Sequence, residues 1–202
     1  MMPCGAARTV QAVLGDTGPR VRPELQRQAT AIGISYPPPA LTLVGYKRER
    51  VLEVWARGPA GWVLFRSYPV LAASGGPGPK LREGDRQVPE GVYRLTHLNP
   101  ASSYHLSIRV DYPNTLDRAH AAQEGRGNPG SDIYIHGKAV SIGCLAIGDE
   151  NIEELFTLVA DTGLANARII LVPGRSLEVP AGAPVWTAEL YRSIKGELEG
   201  LR

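Results

Sequence analysis

The chain has 202 residues, 43% hydrophobic and 21% charged, a length and balance that suit one folded domain with a sizeable core. Twenty-two Lys and Arg against 20 Asp and Glu leave a net charge of only +2, and no basic block interleaved with aromatic residues appears, which excludes basic-patch nucleic-acid binding from the leading readings. No run of 18 apolar residues exists, so no transmembrane helix is expected, and 23 glycines with 17 prolines favour a turn-rich, strand-rich fold over a helical bundle.

In chain order, residues 1–20 are polar, broken by Gly and Pro, and are expected as an extended arm. The start, MMPCGAARTVQAVLGD, lacks a basic region followed by an apolar one, so no secretory signal is visible. Cys4 fits the remnant of a lipoprotein signal poorly because Pro3 precedes it. A domain is expected over 21–173. It opens on a short helix from Arg22 to Ile32, with Leu25, Ala29 and Ile32 on one face, stopped by Pro37-Pro38-Pro39. Three strands follow as a meander, Leu41–Tyr46, Val51–Arg57 and Trp62–Tyr68, separated by turn sequences. Ser74-Gly75-Gly76-Pro77-Gly78-Pro79 begins a long loop reaching Pro89. Strands resume at Gly91–His97 and Tyr104–Asp111, where Leu106, Ile108 and Val110 alternate with Ser107 and Arg109. Asp111 to Gly130 reads as a long polar connection. Asp149 is the expected N-cap of a helix running to about Asp161, with Ile152, Leu155, Phe156 and Val159 as its buried stripe and Gly163 as its stop. A buried strand at Arg168–Val172 closes the domain. Residues 174–202 are then a linker and a C-terminal helix, Val185 to Leu201, bearing Trp186, Leu190, Ile194, Leu198 and Leu201 on one side.

The chemistry concentrates in Ile135-His136-Gly137-Lys138-Ala139-Val140-Ser141-Ile142-Gly143-Cys144. His136 ends a strand-like run, and Cys144 follows a glycine on the far side of a short loop. A thiol becomes a good nucleophile when a base stands beside it, and this loop can fold His136 back onto Cys144. Taken alone, a cysteine near a glycine is usually a small buried hydrophobe, and a lone histidine is usually structural. Gly137 and Gly143 add weight, because tight turns there can aim successive N–H groups at one point. A metal site from His97, His105, His136 and Cys144 is the weaker reading, since these residues have no ligand-like pair spacing. A papain-like peptidase would place its cysteine first and its histidine far downstream, the reverse of the order here.

His-Gly, a short loop and Ser-x-Gly-Cys resemble the signature of the L,D-transpeptidase catalytic domain, or YkuD domain, and within it the YafK-like branch, with Ile142 where most of the family has histidine. Further blocks resemble that branch in the same order: Gly78-Pro79-Lys80, Glu83 to Gln87, Pro89 to Tyr93, Leu98-Asn99-Pro100, Ser103 to Ser107, Tyr112-Pro113-Asn114, Asp117-Arg118 and Ile152 to Phe156. The resemblance covers roughly residues 22–172. It implies a mainly β, α+β fold: a sandwich core with a few peripheral helices and the C-terminal helix. It implies Cys144 as nucleophile, His136 as base, the Gly137 carbonyl as the acceptor orienting the imidazole, and N–H groups of Gly143 and Cys144, with Ile142, as oxyanion donors. Ser141, Arg118, Tyr112, Asn114 and His105 are its candidate substrate-binding residues, with Lys80 and Lys138 as further cations for a carboxylate-rich ligand. The implied reaction is thiol-dependent acyl transfer on the peptide stems of peptidoglycan at meso-diaminopimelate, resolved by an amine or water and needing no cofactor and no metal. Amidase release of an envelope lipoprotein from the same residue, and a non-catalytic peptidoglycan-binding domain, are the alternatives. Retention of both His136 and Cys144 argues against the last. A periplasmic or envelope location follows from the resemblance alone.

Overall fold

The computed structural model describes residues 8–141 and 143–202; Cys4 and Ile142, and the expectations attached to them, lie outside these. The first element corrects the sequence reading. Residues 10–20 are not an extended arm: they are the first half of helix α1, Val10–Ala31, which includes the helix expected from Arg22. Thr9 caps it, its hydroxyl accepting from the Ala12 N–H at 3.1 Å. Val13, Thr17, Val21, Leu25 and Ala29 recur every four residues and are buried. Pro19 and Pro23 lie inside the helix, each removing an amide donor. Anchors to helix α3, Asp149–Thr162, offset that loss. Arg22 binds both carboxylate oxygens of Asp161 at 2.8 Å, and the Thr17 and Thr157 hydroxyls lie 3.3 Å apart.

The expected meander is present as β1 Leu41–Tyr46, β2 Val51–Gly58 and β3 Gly61–Pro69, paired antiparallel in sequence. After it come β4 Gly91–Asn99, β5 Ser107–Val110, helix α2 Thr115–Gln123, β6 Tyr134–His136, β7 Leu145–Ala146, α3, β8 Ala167–Val172 and α4 Thr187–Glu199. The eight strands form one mixed sheet in the order β3-β2-β1-β8-β4-β5-β6-β7. Strand β4 is the hinge of this order. Its first half, Gly91–Arg94, pairs with β8, its second half with β5, and the register shifts between Leu95 and His97.

Because of that hinge the sheet folds over itself. Leu145 of β7 comes within 3.3 Å of where a Cβ would stand on Gly45 of β1, and Leu171 comes within 2.7 Å, so glycine is what lets these strands approach. Ala72, just beyond β3, bridges Ala146 of β7. The two ends of the strand order therefore meet, giving an α+β sandwich-like core with peripheral helices. The main core lies between the sheet and α1 and α3, and holds Leu25, Leu43, Phe65, Ile108, Ile135 and Phe156 among others. The opposite face of β1 and β8, carrying Val44, Tyr46, Ile170 and Val172, is covered by Leu190, Tyr191 and Ile194 of α4. Every residue of β1 is buried as a result.

The long loop between β3 and β4 is irregular, as its Gly and Pro content requires, yet it is anchored. The Lys47 ammonium donates to the carbonyls of Gly78 and Val88 and to Glu90 at 2.9–3.0 Å, while the Gly78 N–H and the Tyr191 hydroxyl donate to the Glu90 carboxylate. Lys47 and Glu90 are both buried, and burial pulls the Lys47 pKa down while Glu90 opposes it. The connection after β5 holds a helix the sequence reading missed. Asn114 and Asp117 form a reciprocal capping box at the start of α2, Asn114 accepting from the N–H groups of Leu116 and Asp117 and Asp117 accepting from that of Asn114.

Candidate active site

The site is built on the outer face of β4 to β7. Cross-strand pairing sets Asn99 beside Ser107, Ser107 beside His136, and His136 beside Ala146. One step along, His97 pairs with Arg109 and Arg109 with Tyr134. Ile135 pairs with Leu145, so Tyr134 and Cys144 flank that pair on the other pleat phase. Ile135, Leu145 and Ile108 point into the core, whereas His136, Ser107, Tyr134 and Cys144 share the outer face. His136 and Cys144 are thus diagonal neighbours across a parallel strand pair, a relation that spans about 7–8 Å between backbones and lies within side-chain reach. Both line one cavity of about 220 Å3, with Asn99, Ser102, Ser103, Tyr104, Ser107 and Tyr134.

His136 is buried, and its Nδ1 lies 2.7 Å from the Gly137 carbonyl oxygen. A carbonyl only accepts, so Nδ1 carries the proton in the neutral ring and Nε2 keeps its lone pair. Burial pulls the His136 pKa below the usual histidine value, and the Gly137 bond partly opposes this. Burial pushes the Cys144 thiol up, opposed by a hydrogen bond from the Tyr134 backbone, with Asp132 raising it further. Both shifts favour the neutral thiol and neutral imidazole over a thiolate–imidazolium pair. Sγ donates to the Asp132 carbonyl at 3.6 Å, and no hydrogen bond joins it to the imidazole in this state. The Tyr104 ring lies against the imidazole, centroids 4.6 Å apart, and walls the cavity.

Gly137 is sterically required. A Cβ there would stand 2.5 Å from Asp149 Oδ1 and 2.7 Å from the Tyr104 carbonyl oxygen. The same Asp149 oxygen accepts the Lys138 N–H at 2.7 Å, so strand end, loop and the start of α3 close on one another here. Asp149 is the first residue of α3 and Gly148 its cap, one position off the expected N-cap. Gly137→Ala should destabilise the fold by about 1–3 kcal/mol through overpacking, measured as a lowered urea midpoint. An unchanged midpoint would show that the loop yields freely.

The loop amides already have partners. Gly143 has φ +93°, a conformation suited to glycine, and its N–H donates to Ser74 Oγ at 2.6 Å. The Cys144 N–H donates to Ser141 Oγ at 2.9 Å, and Ser141 Oγ donates back to the Cys144 carbonyl at 2.6 Å. Ser141 thus holds the loop. Ser74, which the sequence reading left inside a loop, fills the position facing the Gly143 amide.

Other sequence candidates fall elsewhere. His105 does not share the face of Ser107: at φ +75° it precedes the strand, and its Nε2 lies 2.7 Å from Glu153 of α3. Tyr112 is buried, its hydroxyl donating to the Pro129 carbonyl at 2.7 Å. Lys80 is buried against Asp85 and is not free to meet a ligand, while Lys138 stays exposed. Asn114 and Arg118 line a different, larger cavity. Tyr104, Tyr134, Asn99 and Ser74 are the site residues that sequence reasoning passed over; Tyr104 and Asn99 stood inside its matching blocks without being singled out.

A half-buried thiol and a carbonyl-held imidazole thus face one cavity of a folded-over mixed sheet. Residues 42–185 match the YkuD family, the L,D-transpeptidase catalytic domain, and the chain belongs to that family. YafK of Escherichia coli strain K12, whose own name marks its L,D-transpeptidase assignment as provisional, is 36% identical over 135 residues, 64% of this chain and 52% of that protein; its counterpart from strain O157:H7 matches equally. The chain therefore spans about half the length of the curated relatives it matches. Among solved structures, the helical cell shape determining protein Pgp2 from Campylobacter jejuni superposes with a TM-score of 0.57 at 23% identity, covering 68% of this chain and 49% of that one. Bdellovibrio bacteriovorus Bd1075 does so with a TM-score of 0.50 at 20% identity, covering 79% and 56%. These two likenesses establish the fold. Among the described residues no helix is long and apolar enough to cross a membrane.

Proposed function

We propose that this chain is a cysteine-dependent acyltransferase acting on peptidoglycan stem peptides in the cell envelope. The observation that carries the reading is the placement of Cys144 and His136 as diagonal neighbours in one cavity, with the imidazole tautomer set by the Gly137 carbonyl. In this reading His136 Nε2 takes the thiol proton as Sγ attacks the carbonyl on the L-centre of meso-diaminopimelate. The tetrahedral oxyanion is held by loop amides, and its collapse breaks the amide bond. His136 returns the proton to the departing amine, D-alanine in the simplest case, leaving a thioester on Cys144. An acceptor amine or water then attacks the thioester, His136 takes its proton, and the free thiol is regenerated.

For the amides of Gly143 and Cys144 to hold that oxyanion, the substrate oxygen has to take the place of the Ser74 and Ser141 hydroxyls. Ser74→Ala should therefore raise the acylation rate by about two- to tenfold, the worth of one neutral hydrogen bond no longer broken. A comparable fall would show instead that Ser74 holds the donor in place.

The deciding experiment is incubation with purified sacculi and with a free tetrapeptide stem, followed by mass analysis of protein and products. The reading expects a stem adduct on Cys144 and loss of D-alanine. New crosslinks identify an amine acceptor and shortened stems identify water. A released protein fragment identifies amidase action on a bound lipoprotein. Unchanged substrates with unmodified Cys144 would overturn the proposal.

A further inference from the structure

Arg118 and Asn114 line a cavity of about 530 Å3 together with Arg94, Asp111 and Arg168, sharing no residue with the cavity around Cys144. Its location is set by the same sheet. On β4, Val92 and Arg94 face outward; the register shift between Leu95 and His97 then brings His97 and Asn99 to that outer face as well. On β5, Ser107 and Arg109 share it, and Asp111 follows in step. Arg94 and Asn99 are five positions apart on one strand, a separation of about 15–17 Å. One outer face therefore runs from the nucleophile cavity, past His97, Arg109 and Tyr134, to the arginine cavity.

The charges differ at its two ends. Around the nucleophile the lining side chains are amide, hydroxyl, aromatic, imidazole and thiol, with no arginine, lysine or carboxylate. At the far end three guanidiniums and the Asp111 carboxylate line the cavity. Arg94 donates twice to one oxygen of Asp111, at 2.8 and 2.9 Å, and Arg168 pairs with Glu197 of α4 at 2.8 Å. Arg118 donates to the Pro113 carbonyl and has no acidic partner among the described residues. The Arg94 side chain is 80% exposed, so its pairing with Asp111 is a surface pair of small worth that an incoming anion can exchange with. An arginine resting on a single carbonyl retains further N–H groups for a two-pronged contact with a carboxylate. Asn114 builds the rim, its amide spent on capping α2 and on the Val92 carbonyl.

We propose that the Arg94, Arg118 and Arg168 cavity is a second binding site, taking a carboxylate of an extended peptide-bearing chain that also reaches the Cys144 cavity. The identity of that chain as peptidoglycan rests on the function proposed above. The site adds polymer recognition that a lone stem at the nucleophile does not engage, and explains why a cavity without cations can serve a substrate rich in carboxylates.

The test is cosedimentation of the Cys144→Ala protein with purified sacculi, where no turnover intervenes. Arg118→Glu should weaken binding about tenfold or more and Arg118→Lys should restore most of it, with thermal midpoints unchanged because the side chain is exposed. If Arg118→Glu fails to fold, Arg94→Gln takes its place in the same comparison. Sacculi whose stem carboxylates have been converted to amides should bind the unsubstituted surface as weakly as native sacculi bind the Arg118→Glu form. Native affinity in Arg118→Glu, or equal affinity for amidated and native sacculi, overturns the proposal. Absence of a Cys144 adduct with binding and its charge dependence intact would instead overturn the acyl-transfer reading alone.

Discussion

Cys144→Ser should leave the fold intact and lower acyl transfer on the order of 10^4-fold or more, the scale seen when the nucleophile of a catalytic unit is removed. The two side chains are nearly isosteric, and Cys144 is only half-buried with one weak hydrogen bond to the Asp132 carbonyl. Its backbone contacts through Ser141 do not depend on the sulfur. Circular dichroism and the thermal midpoint should therefore be unchanged, and the mass adduct on residue 144 should be absent. Retention of more than a few per cent of the wild-type rate would remove Cys144 from the mechanism.

His136→Ala should cost about 10^2–10^4-fold near neutral pH, the usual worth of a positioned general base, and should change the shape of the pH profile. In the wild type the base is competent when neutral. Since burial lowers the His136 pKa, activity should persist below the ordinary histidine value and fall only as pH drops through the lowered one. Above that limb the rate should level, because the imidazole removes the proton during attack and the thiol need not ionise beforehand. Without His136 the rate should instead climb with pH towards the thiol pKa, which burial holds above its usual value. Alkylation of Cys144 across pH in both proteins is the measurement. An unaltered profile in His136→Ala, or the same loss in His105→Ala, would remove the base from residue 136. The contact of His105 Nε2 with Glu153, away from the Cys144 cavity, predicts a small effect there.

The loop that brings His136 and Cys144 to one cavity was legible because its pattern is local: strand end, His-Gly, short loop and Gly-Cys lie within ten residues. The β1 to β3 meander and β8 were legible from apolar runs bounded by turn residues. What was hidden depended on tertiary partners. Pro19 and Pro23 mask α1, whose four-residue spacing from Val13 to Ala29 is held by Asp161 and Thr157 of another helix. Helix α2 buries only Ala121, so it has no apolar stripe to find, and only its capping box betrays it. The strand expected from Tyr104 starts only at Ser107, because the positive φ of His105 breaks the alternation before it. Arg118 is a candidate substrate-binding residue from the resemblance, but no local pattern records that it lines a cavity sharing no residue with that of Cys144.

The parallel pairing of β1 with β8 joins residues 126 positions apart, as the contact of Thr42 with Arg168 shows. Loop closure over such a span is entropically slow and comes late in assembly. Strands β4 to β7, beside which the thiol and the imidazole lie, pair within a short stretch of chain, and they join β1 to β3 through β8 in the strand order and through the Ala72–Ala146 bridge at its ends. The Ser74 hydroxyl that meets the Gly143 amide belongs to the other side of that closure. The loop around Cys144 therefore gains this partner only when the two ends of the strand order meet. A chain made only as far as residue 146 carries the thiol but not the strand β8 that joins the two halves of the sheet.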